Sequence, residues 1–398
     1  MTSVPYMERM HLASAGVVAA LVGFASASVV VLTGLRAVGA SPAQAASGLL
    51  AVTVAQGLGT VLLSRRHRIP VVLAWSTPGA ALLASTGAVD GGWPAAVGAF
   101  LVVGGLILLT ALWPRLGALI AAIPAAIAQA MLAGVLFALC LAPVHGLLDH
   151  PALVAPAVVT WLALSRLAPR WAVPAAFAVA MVAIGIWLAR HGGPDGPLLP
   201  RVDLTAPTLT WASVLSLAVP LYIVTMASQN VPGVAVLASY GYTVPWRESM
   251  TVTGVGTVAG AFAGGHAINL AAITAALAAS PEAHPDPRRR WLVANLAGWT
   301  HLVLALLTTA LVTVITAAPA GVMTAVAGLA LLGTLASSLN AALAEPADRQ
   351  AAVVTFAVAA SGMTLLGIGA AFWSLAAGLV VRATLRPFAR PAPPEPAG

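Results

Sequence analysis

Hydrophobic runs of about 20 residues recur along almost the whole chain, the length an α-helix needs to cross about 30 Å of hydrocarbon. Such a chain can fold as a polytopic bundle of transmembrane helices. A β-barrel would need alternating apolar and polar positions, which these runs lack. Composition agrees, with 60% of 398 residues hydrophobic and 7% charged. The first run, from about 12 to 35, exceeds the roughly 7 to 15 residue core of a signal peptide and reads as the first span. The formal charge of +7 does not indicate nucleic acid, because the 18 basic residues, all arginine, are scattered through short loops as topology signals. The single Cys140 excludes an intramolecular disulfide and a multi-cysteine metal cluster.

Two of the apolar segments are interrupted. Ser76-Thr77-Pro78-Gly79 breaks the first, after a short β-branched stretch, and Gly264-Gly265-His266-Ala267-Ile268-Asn269 breaks the second. Proline fits the first turn of a helix, where its missing N–H costs nothing. Each break therefore predicts an extended piece followed by a half-helix that starts inside the membrane. Polar groups at that depth survive inside protein or beside water, so the two breaks read as the halves of one binding site.

The remaining spans fall at 12–35, 44–63, 93–112, 116–141, 152–167 and 172–189, then at 209–227, 251–262, 291–316, 321–343, 351–368 and 370–381. The broken segments at about 69–85 and 264–279 are third and tenth in the series. The reading is thus an all-α polytopic membrane protein of 14 segments in two seven-segment repeats, divided by the Gly- and Pro-rich stretch 190–208. An odd number of spans per repeat requires the repeats to be inverted. Charge agrees: the loop after the first break carries Asp90 and no arginine, and the loop after the second carries Arg288-Arg289-Arg290. With the N-terminus inside, Arg36, Arg190 and Arg201 fall outside and the other 15 arginines inside. Inverted repeats whose broken helices meet near the midplane are a secondary-transporter arrangement.

None of the 11 acidic residues lies in an expected span, which argues against a cation substrate and a carboxylate proton relay. Exposed N–H groups at two facing half-helix starts instead suit an anion, and Thr77, Pro78 and Gly79 would carry one of them. Phe24 and Tyr222 are candidates for the wall around an aromatic ring. Three roles are open to His266: binding a carboxylate, carrying a coupled proton, or a hydrogen bond within the fold. Asn269 either caps the second half-helix or touches ligand, and the two are compatible. Ser228-Gln229-Asn230 reads either as a wetted helix end or, at Gln229 and Asn230, as part of the site. Gln56, Gln129 and His301 read as links between helices. Gly256, Gly260 and Gly264 form a close-packing face whose spacing is wrong for a nucleotide loop. With no P-loop, zinc spacing or nucleophile elbow, no cofactor or metal is expected, and the chain does not read as an enzyme.

Three stretches resemble benzoate:proton symporters of the BenE type: Trp75-Ser76-Thr77-Pro78-Gly79-Ala80-Ala81-Leu82-Leu83, the run Thr225 to Leu237, and Gly264 to Thr274. The resemblance covers nearly the whole chain. It implies the seven-plus-seven fold shared with uracil carriers and sulfate permeases, with a core domain at 1–112 and 209–316 and a gate domain at 113–189 and 317–386. The inter-repeat loop would be 190–208 and a cytoplasmic tail 387–398. It further implies proton-coupled uptake of benzoate across a bacterial inner membrane, with both termini cytoplasmic. Its partners would be an aromatic carboxylate, protons and lipid, with a homodimer left open and nucleic acid excluded. Uracil-type relatives carry glutamates on segments 8 and 10 that this chain lacks, so their proton site does not transfer; His266 is the coupling candidate here. The rival expectations are a carrier of another anion or a nucleobase, and an anion channel.

Overall fold

The computed structural model describes residues 6–113, 115–116, 122–193 and 195–385; the expected tail at 387–398 lies outside them. The described residues form a mostly helical, polytopic membrane fold. Seven helices are long and apolar enough to span a bilayer, or eight if one bent pair counts as a single span.

In chain order the first half contains α1 (Tyr6–Ala37), α2 (Pro42–His67), β1 (Leu73–Trp75), α3 (Thr77–Thr86), α4 (Gly92–Leu112), α5 (Ala125–Asp149), α6 (Pro151–Leu167) and α7 (Pro169–Arg190). The second contains α8 (Trp211–Ser239), α9 (Trp246–Ala261), β2 (Ile268–Leu270), α10 (Ile273–Ala279), α11 (Arg290–Ala305) and α12 (Thr308–Ala317). It ends with α13 (Val322–Leu343), α14 (Arg349–Ala360), the two-residue strands β3 (Thr364–Leu365) and β4 (Ile368–Gly369), and α15 (Ala370–Leu385).

Several boundaries differ from the sequence reading. The segment expected to end at Ser228-Gln229-Asn230 runs on to Ser239, because Met226–Asn230 forms a π-helical turn that carries the helix past Pro232. A widened turn absorbs the proline's missing N–H, as π-bulges do within longer helices. The span expected at 291–316 is instead two helices, α11 and α12, meeting at 54° across Leu306-Leu307. The segment expected at 351–368 stops at Ala360, where the Gly362 and Gly367 turns (φ +62° and +73°) lead into the β3–β4 hairpin. Helix α5 begins only after Pro124, and 117–121 lie outside the described residues.

The two broken segments are joined directly. β1 and β2 pair antiparallel in the register Leu73 with Leu270, Ala74 with Asn269 and Trp75 with Ile268. Ser76 N–H donating to Ala267 O and Ala271 N–H donating to Val72 O, each 2.9 Å, extend the ladder at both ends. A two-stranded ribbon has two open edges, and an unpaired N–H is costly away from water. Side chains close both edges. On the β1 edge, Leu73 N–H donates to Thr60 Oγ1 (2.9 Å) and Trp75 N–H to Gln56 Oε1 (2.6 Å), two α2 residues one turn apart. On the β2 edge, Ile268 N–H donates to Thr257 Oγ1 (3.1 Å) and Leu270 N–H to Asn230 Oδ1 (2.8 Å).

Gly264 ends the approach to β2 with φ +86°, a left-handed conformation that a side chain resists. A Cβ there would also stand 2.7 Å from the Trp93 ring. The arginine-bearing ends of α2, α9 and α11 meet at one end of the molecule. Arg66 and His67 both bond Glu248, at 2.9 and 2.7 Å, and Arg65 and Arg68 lie over the rings of Trp299 and Trp291. The hydrogen bonds from His67 and then Arg66 hold the Glu248 carboxyl below its ordinary pKa.

Candidate functional site

Immediately beside the ribbon lies a cavity of about 140 Å³. Trp75, Thr77 and Pro78 line it from the first broken segment, and Ala271, Ala272 and Thr274 from the second. Gln56, Gln229 and His301 add polar atoms, while Val22, Gly23 and Ala27 of α1 and Ala330, Leu331 and Thr334 of α13 complete the lining. An apolar cavity of about 150 Å³ takes up a benzene ring, so this volume matches a single small aromatic ring. No carboxylate and no arginine lines it.

The local chemistry of α3 explains how a helix starts here. Ser76 is its N-cap, and its Oγ accepts from Gly79 N–H at 3.1 Å while also accepting from Thr225 Oγ1 of α8 at 2.8 Å. Pro78 sits in the first turn, and the leading N–H groups of a helix have no intrahelical partner. The second start is weaker. α10 has seven residues, its N-cap is Ala272, and no side chain caps it.

The sequence-derived candidates divide into two groups. Thr77, Pro78 and Gln229 line the cavity. Gly79 is buried behind them, where its Cα faces Leu221 and the Ser76 side chain. Phe24 does not line the cavity but backs its aromatic wall, with its ring centroid 5.6 Å from that of Trp75. Asn230 serves the ribbon edge and also donates from Nδ2 to Met226 Sδ. Asn269 does not cap α10; it lies in β2, where Nδ2 donates to Leu270 O and Oδ1 is buried without a partner. Tyr222 points away from the cavity to a hydrogen bond with Thr110 of α4. His266 is buried edge-on to Phe100, with Nδ1 against Ala267 O at 3.1 Å and Nε2 unpartnered, and it does not line the cavity.

Gln56, His301, Trp75 and Thr334 are among the cavity residues that the sequence reading left out. Gln56 and His301 were visible as intramembrane polar residues, yet nothing in their spacing separates a cavity from a helix contact. The neighbouring spaces differ in character. A cavity of about 500 Å³ between α1 and the α12–α13 region includes Thr33, Arg36, Thr316 and Thr324. A furrow of about 750 Å³ between α2 and α9 is lined by exposed apolar side chains such as Leu58, Leu62 and Val255.

The family model described as "Benzoate membrane transport protein" matches residues 8–384. The inner membrane protein YdcO of Escherichia coli (strain K12) is 39% identical over 371 residues, covering 92% of this chain and 93% of that protein. The benzoate membrane transport protein of Acinetobacter baylyi is 30% identical over 376 residues, with the same coverage of 92% and 93%. Among solved structures, the transmembrane domain of the cyanobacterial bicarbonate transporter BicA superposes with a TM-score of 0.59 at 15% identity, covering 96% of this chain and 98% of that one. The murine anion transporter Slc26a9 superposes at 0.61 with 14% identity, covering 96% and 69%. These solved structures share the fold. By the match over nearly its whole length, this chain belongs to the benzoate membrane transport protein family, a family of membrane transporters rather than enzymes.

Proposed function

We propose that this transporter carries benzoate or a closely related aromatic carboxylate, together with protons, across a bacterial inner membrane, by alternating access in an elevator-like manner. The observation that carries this reading is the cavity itself: ring-sized, walled by Trp75, opened to the start of α3, and without a carboxylate. The aromatic ring would lie against Trp75 and the carboxylate toward Thr77 and the leading N–H groups of α3, where the helix dipole favours an anion.

The repeat architecture belongs to the same proposal: 14 segments in two inverted repeats, with a core at 1–112 and 209–316 and a gate at 113–189 and 317–386. Two observations support it. Shifting by seven segments turns the pair α4–α9 (segments 4 and 9) into the pair α11–α2 (segments 11 and 2), and both pairs pack extensively. The same shift relates Thr60 of α2, which closes the β1 edge, to Thr257 of α9, which closes the β2 edge. The clustered arginines at the ends of α2, α9 and α11 support placing that end in the cytoplasm.

The test is uptake of radiolabelled benzoate by proteoliposomes under an imposed inward proton gradient, against empty liposomes because neutral benzoic acid crosses lipid unaided. The expected result is protein-dependent, saturable accumulation that a protonophore abolishes. Folded protein giving no flux above empty liposomes would remove benzoate as the substrate. Competition by other anions or by uracil would then identify what the cavity takes.

A further inference from the structure

Among the described residues that line the cavity, His301 is the only one with a titratable side chain. Its Nδ1 lies 2.9 Å from Ala297 O, one turn earlier on α11. A carbonyl only accepts, so Nδ1 must carry the hydrogen in the neutral ring, and Nε2 is left with a lone pair. The ring is 3% exposed, and the cavity is the space it lines. Thus the cavity that Thr77 and Pro78 of α3 line also offers one basic ring nitrogen.

We propose that His301 Nε2 is the proton-binding atom of the transport site, which deepens the reading that the cavity carries a carboxylate. In the empty site the ring is neutral, because a buried cation with no carboxylate beside it is strongly disfavoured. A lone carboxylate is disfavoured for the same reason. When both enter, one proton bonds to Nε2, the imidazolium pairs with the carboxylate, and the occupied site is neutral overall. On release the proton leaves Nε2 and the ring returns to its starting state.

Among the described residues, nothing else in the surroundings competes for the role. α11 packs against α1, α2 and α10. Among the described residues, the charged or titratable groups of these helices lie at their ends, as Arg36 on α1 and Arg65, Arg66 and His67 on α2. α13 contributes Ala330, Leu331 and Thr334, none of which titrates. His266 has its own free Nε2, but it is enclosed against Phe100 and does not line the cavity.

Isothermal titration calorimetry on purified protein in detergent tests this directly. Repeating the benzoate titration near pH 8 in buffers of different ionisation enthalpy gives the number of protons taken up on binding, at a pH where a free imidazole of ordinary pKa, about 6.5, is neutral. The expected result is close to one proton per benzoate for the wild type and for His266→Gln, and close to zero for His301→Gln and His301→Asn. Zero uptake by the wild type, or undiminished uptake by a folded His301 variant, overturns the proposal. Should neither His301 variant fold, diethyl pyrocarbonate labelling of the wild type decides. Benzoate must then protect His301 more than His266, and equal labelling of His301 with and without benzoate overturns the assignment. Parallel titrations with acetate, bicarbonate and sulfate separate the two readings. An anion other than benzoate that binds with one proton, lost in the His301 variants, removes the aromatic substrate and keeps the proton site. Folded wild type that binds none of them removes both.

Discussion

Thr257 shows at the scale of one residue how a membrane protein affords irregular backbone. Its hydroxyl accepts from the Ile268 N–H at 3.1 Å and donates to Thr253 O at 2.8 Å, so the side chain both closes the ribbon edge and is satisfied on its own helix. Replacing it by valine keeps the shape and leaves the Ile268 N–H buried without a partner, a loss of about 1–3 kcal/mol. Thr251, on the exposed face of the same helix, bonds only its own preceding turn at Arg247 O. Thermal unfolding in detergent is therefore expected to show a clear drop in Tm for Thr257→Val and almost none for Thr251→Val. Equal effects would mean that the edge bonds contribute nothing beyond helix composition. The same logic applies to Thr60, Gln56 and Asn230, which hold the other three outward N–H groups.

At the scale of an element, the start of α3 depends on Ser76, whose Oγ accepts from both Gly79 N–H and Thr225 Oγ1. Ser76→Ala removes the cap, at a typical cost of about 1 kcal/mol, and also strands the Thr225 hydroxyl. Thr225→Val removes only the link to α8 and leaves the cap intact, so it is expected to cost less. Because the residues are in direct contact, the double variant should be more stable than the sum of the single losses predicts, by roughly 0.5 kcal/mol or more. Additive losses measured by unfolding would show that the two contacts act separately. This element was half legible in sequence. Ser76-Thr77-Pro78-Gly79 announced the break and the helix start because proline and glycine act through local backbone geometry. The pairing of β1 with β2 was not legible, since strands of three residues, fully buried in β2 and buried except at Ala74 in β1, are too short for alternation to show. Nor was the course of α8, where Ser228-Gln229-Asn230 before Pro232 has the composition of a helix end and only the π turn reveals its continuation. The bend between α11 and α12 falls at Leu306-Leu307, where neither proline nor glycine marks it.

For the whole molecule, the ribbon makes both broken segments parts of one body, because moving one without the other would break the ladder and its closed edges. The most extensive helix pairings are α5 with α13, α4 with α9 and α2 with α11; the proposed division puts the first in the gate and the other two in the core. The cavity is lined both by residues of the ribbon and by Ala330, Leu331 and Thr334 of α13, which the proposed division assigns to core and gate respectively. In the proposed elevator-like cycle, α1 would travel with the core and slide along α13, which would stay with the gate. Thr33 of α1 and Thr324 of α13 face a common space in the 500 Å³ cavity between these helices. Leu58 of α2 and Val255 of α9 likewise share the outer furrow, but the proposed division puts both in the core. In a Cys140→Ala background, Thr33→Cys with Thr324→Cys and Leu58→Cys with Val255→Cys provide two matched pairs for a cleavable bifunctional thiol reagent. Joining the first pair is expected to stop benzoate uptake and cleaving the linker to restore it, whereas joining the second pair should leave uptake near the uncrosslinked level. Full uptake with the first pair joined would mean that the cavity opens to both sides without relative movement of α1 and α13, and the division into a moving core and a fixed gate would have to be redrawn.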